Sequence, residues 1–212
     1  MVRPRKPLIT RDSIIAASIE MIDGDGIDSF SLPRVAKQLN VSTSSLYHHF
    51  SDRRELMAEV AKEIMRGARV PAAPADGDWM EWFVQLSLNY REAILRHANA
   101  ALILVELLPR DVLTSTYEKC ARILSDCGVA PALHVIILDG LEKLSFATIL
   151  SSLANASAAD GDIFPNVDAE RHPVLSTALS SNPWSATELF EVTIRSFLSG
   201  VMAGSAHPAA HE

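Results

Sequence analysis

The stretch Ser31-Leu-Pro-Arg-Val-Ala-Lys-Gln-Leu-Asn-Val-Ser-Thr-Ser-Ser-Leu-Tyr-His-His-Phe50 constrains the fold more than any other part of the chain. Its apolar spacing predicts two short helices and a tight turn. The first runs from Ser31 to Leu39, Asn40-Val41-Ser42 makes the turn, and the second opens at Ser42 or Thr43 and closes near Phe50. Val35, Ala36 and Leu39 share one face of the first helix; Val41, Leu46 and Phe50 supply the matching face. Thr43, Ser44, Ser45, Tyr47, His48 and His49 then point outward, all of them hydrogen-bonding groups. A short polar helix pinned on an apolar partner is the helix-turn-helix arrangement, which reaches into the DNA major groove.

Helical patterning continues elsewhere, and no strand-like alternation between hairpin turns stands out. Thr10 is a good N-cap for a helix that Gly24 or Gly26 would end. Asp52 caps a longer helix through about Arg69, with Glu55 placed for a capping box. Pro71-Ala-Ala-Pro-Ala-Asp-Gly77 breaks the pattern and marks a domain boundary. Further helices are expected over 78–97, 99–108, 111–127, 131–156 and 185–203. A polar connection over 157–183 has room for a short helix around 170–180, and the tail from Ser205 is expected to be disordered. The expected fold is all-α: a three-helix domain over 1–69 and a larger helical domain over 78–204.

The net charge of −7 looks wrong for a DNA-binding chain until it is divided. Residues 1–69 hold eleven Lys/Arg and nine Asp/Glu, a balance of +2; the other eight and seventeen give −9. The basic excess thus lies beside the helix-turn-helix, where phosphate contacts need it. Cys120 and Cys127 are about 10 Å apart along a regular helix, too far for a disulfide. No run of apolar residues is long enough to span a membrane, and no signal peptide is recognisable, so a cytoplasmic protein is expected.

The surrounding residues carry a resemblance. Thr10-Arg-Asp-Ser-Ile-Ile-Ala-Ala17, then Gly24-Asp-Gly26, the helix-turn-helix, and Ser51-Asp-Arg-Arg-Glu-Leu-Met57 follow in an order that resembles the N-terminal domain of the tetracycline-repressor (TetR) family. Ser-Leu-Tyr-His-His-Phe at 45–50, followed by Asp52 and Leu56, is similar to that family's most recognisable signature, and the match covers roughly residues 8–66. It implies a phosphate contact for Tyr47 and places Thr43, Ser44 and His48 where bases or backbone are approached. Ser31, Arg34, Ser45, His49 and Arg53 complete the expected DNA-binding set. Arg34 departs by a position from the arginine that reads a base in some members, so the operator does not carry over. Arg3, Arg5 and Lys6 form a basic arm that either adds DNA contacts or remains a plain terminus.

Trp79, Tyr90-Arg91, His97, Leu107-Leu-Pro-Arg-Asp111, Tyr117 and Gly128 are similar in order to the ligand-binding half of the tetracycline-repressor subgroup. Trp82, Phe83, Leu86, Tyr90, Leu104, Leu108, Tyr117 and Phe146 are the expected lining of an effector pocket. The subgroup's prototype holds magnesium-tetracycline through a histidine in the helix corresponding to 99–108; that helix has no histidine here, so a different, mostly apolar effector is expected. Helices 131–156 and 185–203 carry more apolar surface than one core-facing stripe requires, and the resemblance implies a homodimer through them. His48-His49 and the Asp23–Asp28 loop lack metal-ligand geometry; His207 and His211, four apart, have a better spacing but sit in a short Pro-containing tail expected to be disordered, and no catalytic motif is present. No metal, cofactor or enzymatic activity is expected. The reading is a ligand-responsive transcriptional regulator, a homodimeric repressor released from a palindromic operator. The alternative is a helical small-molecule-binding protein without operator specificity.

Overall fold

The computed structural model describes residues 9–74, 77–101, 103–104, 110–155, 163–164 and 166–205. Among them the regular structure is helical, without strands: α1 (Arg11–Asp25), α2 (Leu32–Gln38), α3 (Thr43–Tyr47), α4 (Arg53–Arg66), α5 (Trp79–Leu95), α6 (Arg110–Asp126), α7 (Pro131–Asn155), α8 (Pro173–Ser180) and α9 (Ala186–Ser205). The expected tail beyond Ser205, the basic arm and half of the expected helix 99–108 lie outside the described residues.

The chain divides into two compact units. The first joins Met1–Arg69 to Glu92–Thr114; the second joins Val70–Arg91 to Ser115–Glu212. Segment 92–114, which the sequence pattern placed with the second domain, thus groups with the first. Long-range polar contacts account for this: His97 Nδ1 lies 2.7 Å from the Asp23 carboxylate, Asn99 donates to the Asp23 carbonyl and Arg96 to the Gly67 carbonyl. A linear pattern shows no sign of such contacts.

In the first unit α1 packs on α2, α4 and the short turn Ala98–Ala100. Ile14, Ile22, Val35, Leu46, Leu56 and Val60 form its core. Thr10 and Ser13 make a reciprocal capping box at α1, and Gly26 ends the helix at a φ of 80°. At α4 the Asp52 side chain accepts from the Glu55 amide. The Glu55 carboxylate, however, reaches back to Ser51 rather than to the cap, so only half of the expected box forms. The helix stops at Arg66, short of the expected Arg69, because the Gly67 and Ala68 amides tighten onto carbonyls of the last turn.

The second unit is built on Trp79, Trp82, Phe83, Leu124, Phe190 and Ile194. Both tryptophans meet Phe83 edge-on, with centroids 6.2 and 5.0 Å away, the favoured aromatic geometry. Helices α7 and α9 lie against each other, and Gly140 permits the approach: a Cβ there would run into the Phe197 ring, 2.8 Å from Cε2. Gly140→Ala is therefore expected to destabilise the unit by about 1–3 kcal/mol through overpacking, despite the better helix propensity of alanine. An unchanged or raised midpoint in thermal melts would show that the ring swings aside freely.

Candidate nucleic-acid interface

The turn between α2 and α3 follows from one residue. Asn40 adopts a φ of 55°, a left-handed conformation that asparagine tolerates better than most residues. With Asn40 in place, the Val41 amide reaches the Ala36 carbonyl at 2.9 Å and the Asn40 amide reaches Lys37 at 3.1 Å. This is the Schellman closure of a helix C-terminus. The chain then reverses within Val41-Ser42 and starts α3.

Helix α3 is only five residues long, shorter than the expected run to Phe50. The His49 and Phe50 amides both turn back to the Leu46 carbonyl, and this ends it. So short a helix has no stability of its own; Leu46 and Phe50, both buried, hold it down. Thr43 and Tyr47, and Ser44 and His48, are pairs four apart and form one stripe. Ser44, Tyr47 and His48 are exposed and Thr43 is half-buried; Tyr47 is 54% accessible, which leaves its hydroxyl free to meet a phosphate. The Ser42 hydroxyl lies 2.8 Å from both the Ser44 and Ser45 hydroxyls, so these three form a local cluster instead of capping the backbone.

The other expected contact residues are placed differently. Ser31 precedes α2 as its N-cap without a side-chain bond. Arg34 is engaged within the protein: its guanidinium donates to Asp25 and, at 2.7 Å, to the Ser29 carbonyl. A DNA contact by Arg34 would require exchange of these partners. Arg53 lies with its guanidinium 5.4 Å from the Phe30 ring centroid. The His49 carbonyl is occupied by Arg11, a residue that sequence reasoning passed over. Arg11 also pairs with Glu55 at 3.0 Å and covers the Phe50 ring at 4.2 Å, so one side chain ties the start of α1 to both ends of the α3–α4 turn. Its place just after the Thr10 cap was the available signal.

Hydrogen bonds from the Ser51 amide and hydroxyl, followed by Arg11, lower the Glu55 pKa to about 2. A carboxylate held below its unfolded value stabilises the fold above that value and loses the contribution as acid protonates it. The stability of the first unit is thus expected to decline between about pH 4.5 and 2 through this group. The effect is modest because the carboxylate is about one-third exposed. Thermal melts of Glu55→Gln should show a flatter slope across that window, and slopes equal to wild type would refute the assignment.

The described residues of the expected effector pocket fall in both units. Trp82, Phe83 and Leu86 are buried in the core of the second unit, with Tyr90 half-buried against it. Burial raises the Tyr90 pKa, as does nearby Cys120, against a hydrogen bond to Thr116. Tyr117 and Phe146 are half-buried, and the Tyr117 hydroxyl donates to Glu142. Leu104 is buried in the first unit, and Leu108 lies outside the described residues. Cys120 and Cys127 are both free thiols. No described helix is long and apolar enough to cross a membrane.

Residues 14–60 match the model of bacterial regulatory proteins, tetR family. The chain is 24% identical over 173 residues to the tetracycline repressor protein class D of Escherichia coli, covering 81% of this chain and 78% of that one. The fold is similar to that of the Streptomyces coelicolor TetR family protein ActR in complex with actinorhodin (TM-score 0.74, 24% identity, 92% of this chain and 98% of that one). It is similar again to a possible TetR family transcriptional regulator from Streptomyces coelicolor A3(2) (TM-score 0.79, 21% identity, 92% and 99%). The all-α fold, the helix-turn-helix and the relatives agree: residues 14–60 carry the domain of the tetR family of bacterial regulatory proteins, and the chain as a whole is similar in sequence to a tetracycline repressor and in fold to TetR family proteins.

Proposed function

We propose that the protein is a homodimeric repressor that holds a palindromic operator and releases it on binding a small, mostly apolar molecule. The observation that carries this reading is the stripe of Thr43, Ser44, Tyr47 and His48 on a helix anchored by buried Leu46 and Phe50. Side chains on such a stripe can approach base edges and phosphates without unfolding anything beneath them. In this reading residues 1–69 are the DNA-reading head, and residues 78–204 take the effector and the partner subunit. Repression is supported by the repressor names of the relatives, and a small effector by the ActR complex with actinorhodin. The dimer is supported by Val135 and Ile136, 75% and 51% exposed on a helix whose apolar residues surround its whole circumference. Such a regulator acts in the cytoplasm, beside DNA, and needs no catalytic group.

Two identical heads on a twofold axis require two symmetric half-sites. Selection from random duplexes is expected to enrich a palindrome, with affinity that falls steeply as salt rises. Tyr47→Phe should weaken binding to all sequences alike, whereas changes at Thr43 or His48 should alter the preferred bases. Absence of an enriched motif at low salt would favour the alternative, a helical small-molecule-binding protein.

A further inference from the structure

A cleft of about 450 Å³ opens in the second unit, lined in part by Arg91, Thr148, Ser151, Thr193, Leu189 and Phe190. None of the described effector-pocket residues lines it, and none of its described lining residues is acidic. Arg91, on α5, is the one cation among its described lining residues. Among the described residues the guanidinium has a single hydrogen bond, to the Thr187 hydroxyl at 3.3 Å, and it lies 5.9 Å from the Phe190 ring centroid. Its Nε is buried and has no hydrogen-bond partner. Among the described residues no carboxylate pairs with it, although residues 70–212 carry a net charge of −9. Nearby Glu188 is turned to the Ser185 amide at the cap of α9. The guanidinium thus sits at the positive end of a twenty-residue helix, where a further positive charge is disfavoured unless an anion joins it.

We infer that this cleft is a binding site for the carboxylate of a small apolar organic acid, distinct from the pocket that the aromatic residues were expected to line. One guanidinium matches one negative charge. Arginine's planar fork fits a carboxylate, and a buried donor left unmade is costly. The Thr148 and Ser151 hydroxyls have no partner among the described residues and can rotate to donate to the same oxygens. Leu189 and Phe190 offer the apolar wall for the body of the acid. The volume falls within the usual range for small-molecule sites, and burial already disfavours the bare charge of Arg91.

The test is calorimetric titration of the full-length protein, without DNA, using 2-naphthoate and its neutral isostere 2-naphthamide. Naphthoate should bind once per subunit, and loss of the charge-assisted bond in Arg91→Gln should weaken it by roughly 10- to 100-fold. Naphthamide should bind weakly to both proteins. Ala147→Phe, which fills the cleft from a surface position, should also remove naphthoate binding while leaving the thermal melt intact. It decides the matter if Arg91→Gln fails to fold. Tyr90→Leu should leave naphthoate binding unchanged. The inference fails if naphthoate does not bind at millimolar concentration, if acid and amide bind alike, or if Tyr90→Leu abolishes binding while Arg91→Gln spares it. Because no readout involves DNA, failure of the repressor reading would leave this result standing, and the reverse also holds.

Discussion

Ile136→Glu is expected to leave each subunit folded and to abolish dimerisation and operator binding together. Ile136 is half-exposed in the subunit, so a glutamate there stays in water as long as the subunit stands alone. In the proposed dimer the twofold axis would bury two such charges without partners, at a cost of several kcal/mol each. A monomer would grip one half-site only, and loss of the linked second contact should lower operator affinity by roughly 100-fold or more. Phe197, at the centre of the apolar surface of α9, is a poorer place for the charge. Its ring packs over Gly140 of its own subunit, so Phe197→Glu would damage the core as well as the interface. Light scattering at micromolar concentration measures the first outcome and a binding isotherm the second. A variant that remains dimeric and binds the operator as wild type does would remove α7 from the interface.

Leu46→Ala is the other substitution with a large expected effect. Leu46 is 1% exposed and is the one buried residue of α3. Truncating a buried leucine costs about 2–5 kcal/mol. Five residues cannot offset that loss by helix propensity, because so short a helix exists only through its packing. The variant should lose specific DNA binding, and its α2–α3 amides should exchange with solvent far faster, while the amides of α7 and α9 keep their protection. Protection at α3 equal to wild type would mean that Phe50 and the Asn40 turn suffice to hold the reading helix.

The helix-turn-helix was legible because its signals are local and agree with one another. Asn40 suits the left-handed turn position, Leu46 and Phe50 have the spacing of a buried edge, and Thr10 and Asp52 cap the flanking helices. The boundaries were less legible. The end of α3 depends on two amides converging on the Leu46 carbonyl, and Glu55 answers to Ser51 and Arg11 instead of its own cap. Arg34 and Arg53 look alike in sequence as surface cations. Only three-dimensional placement separates Arg34, held by Asp25 and Ser29, from Arg53, which lies over an aromatic ring.

Hydrophobic periodicity and capping residues were sufficient for an all-helical chain with an N-terminal reading head, because helix formation and the burial of one face are decided within a few turns. Tertiary structure alone decided which distant residues share an environment. It joined segment 92–114, Leu104 included, to the first unit through Asp23, and brought Arg91 to the start of α9 without a counter-ion among the described residues. Those outcomes depend on contacts between residues up to 96 positions apart. Such contacts leave no period in the sequence, because their energy comes from the meeting of two surfaces and not from the pattern of either one.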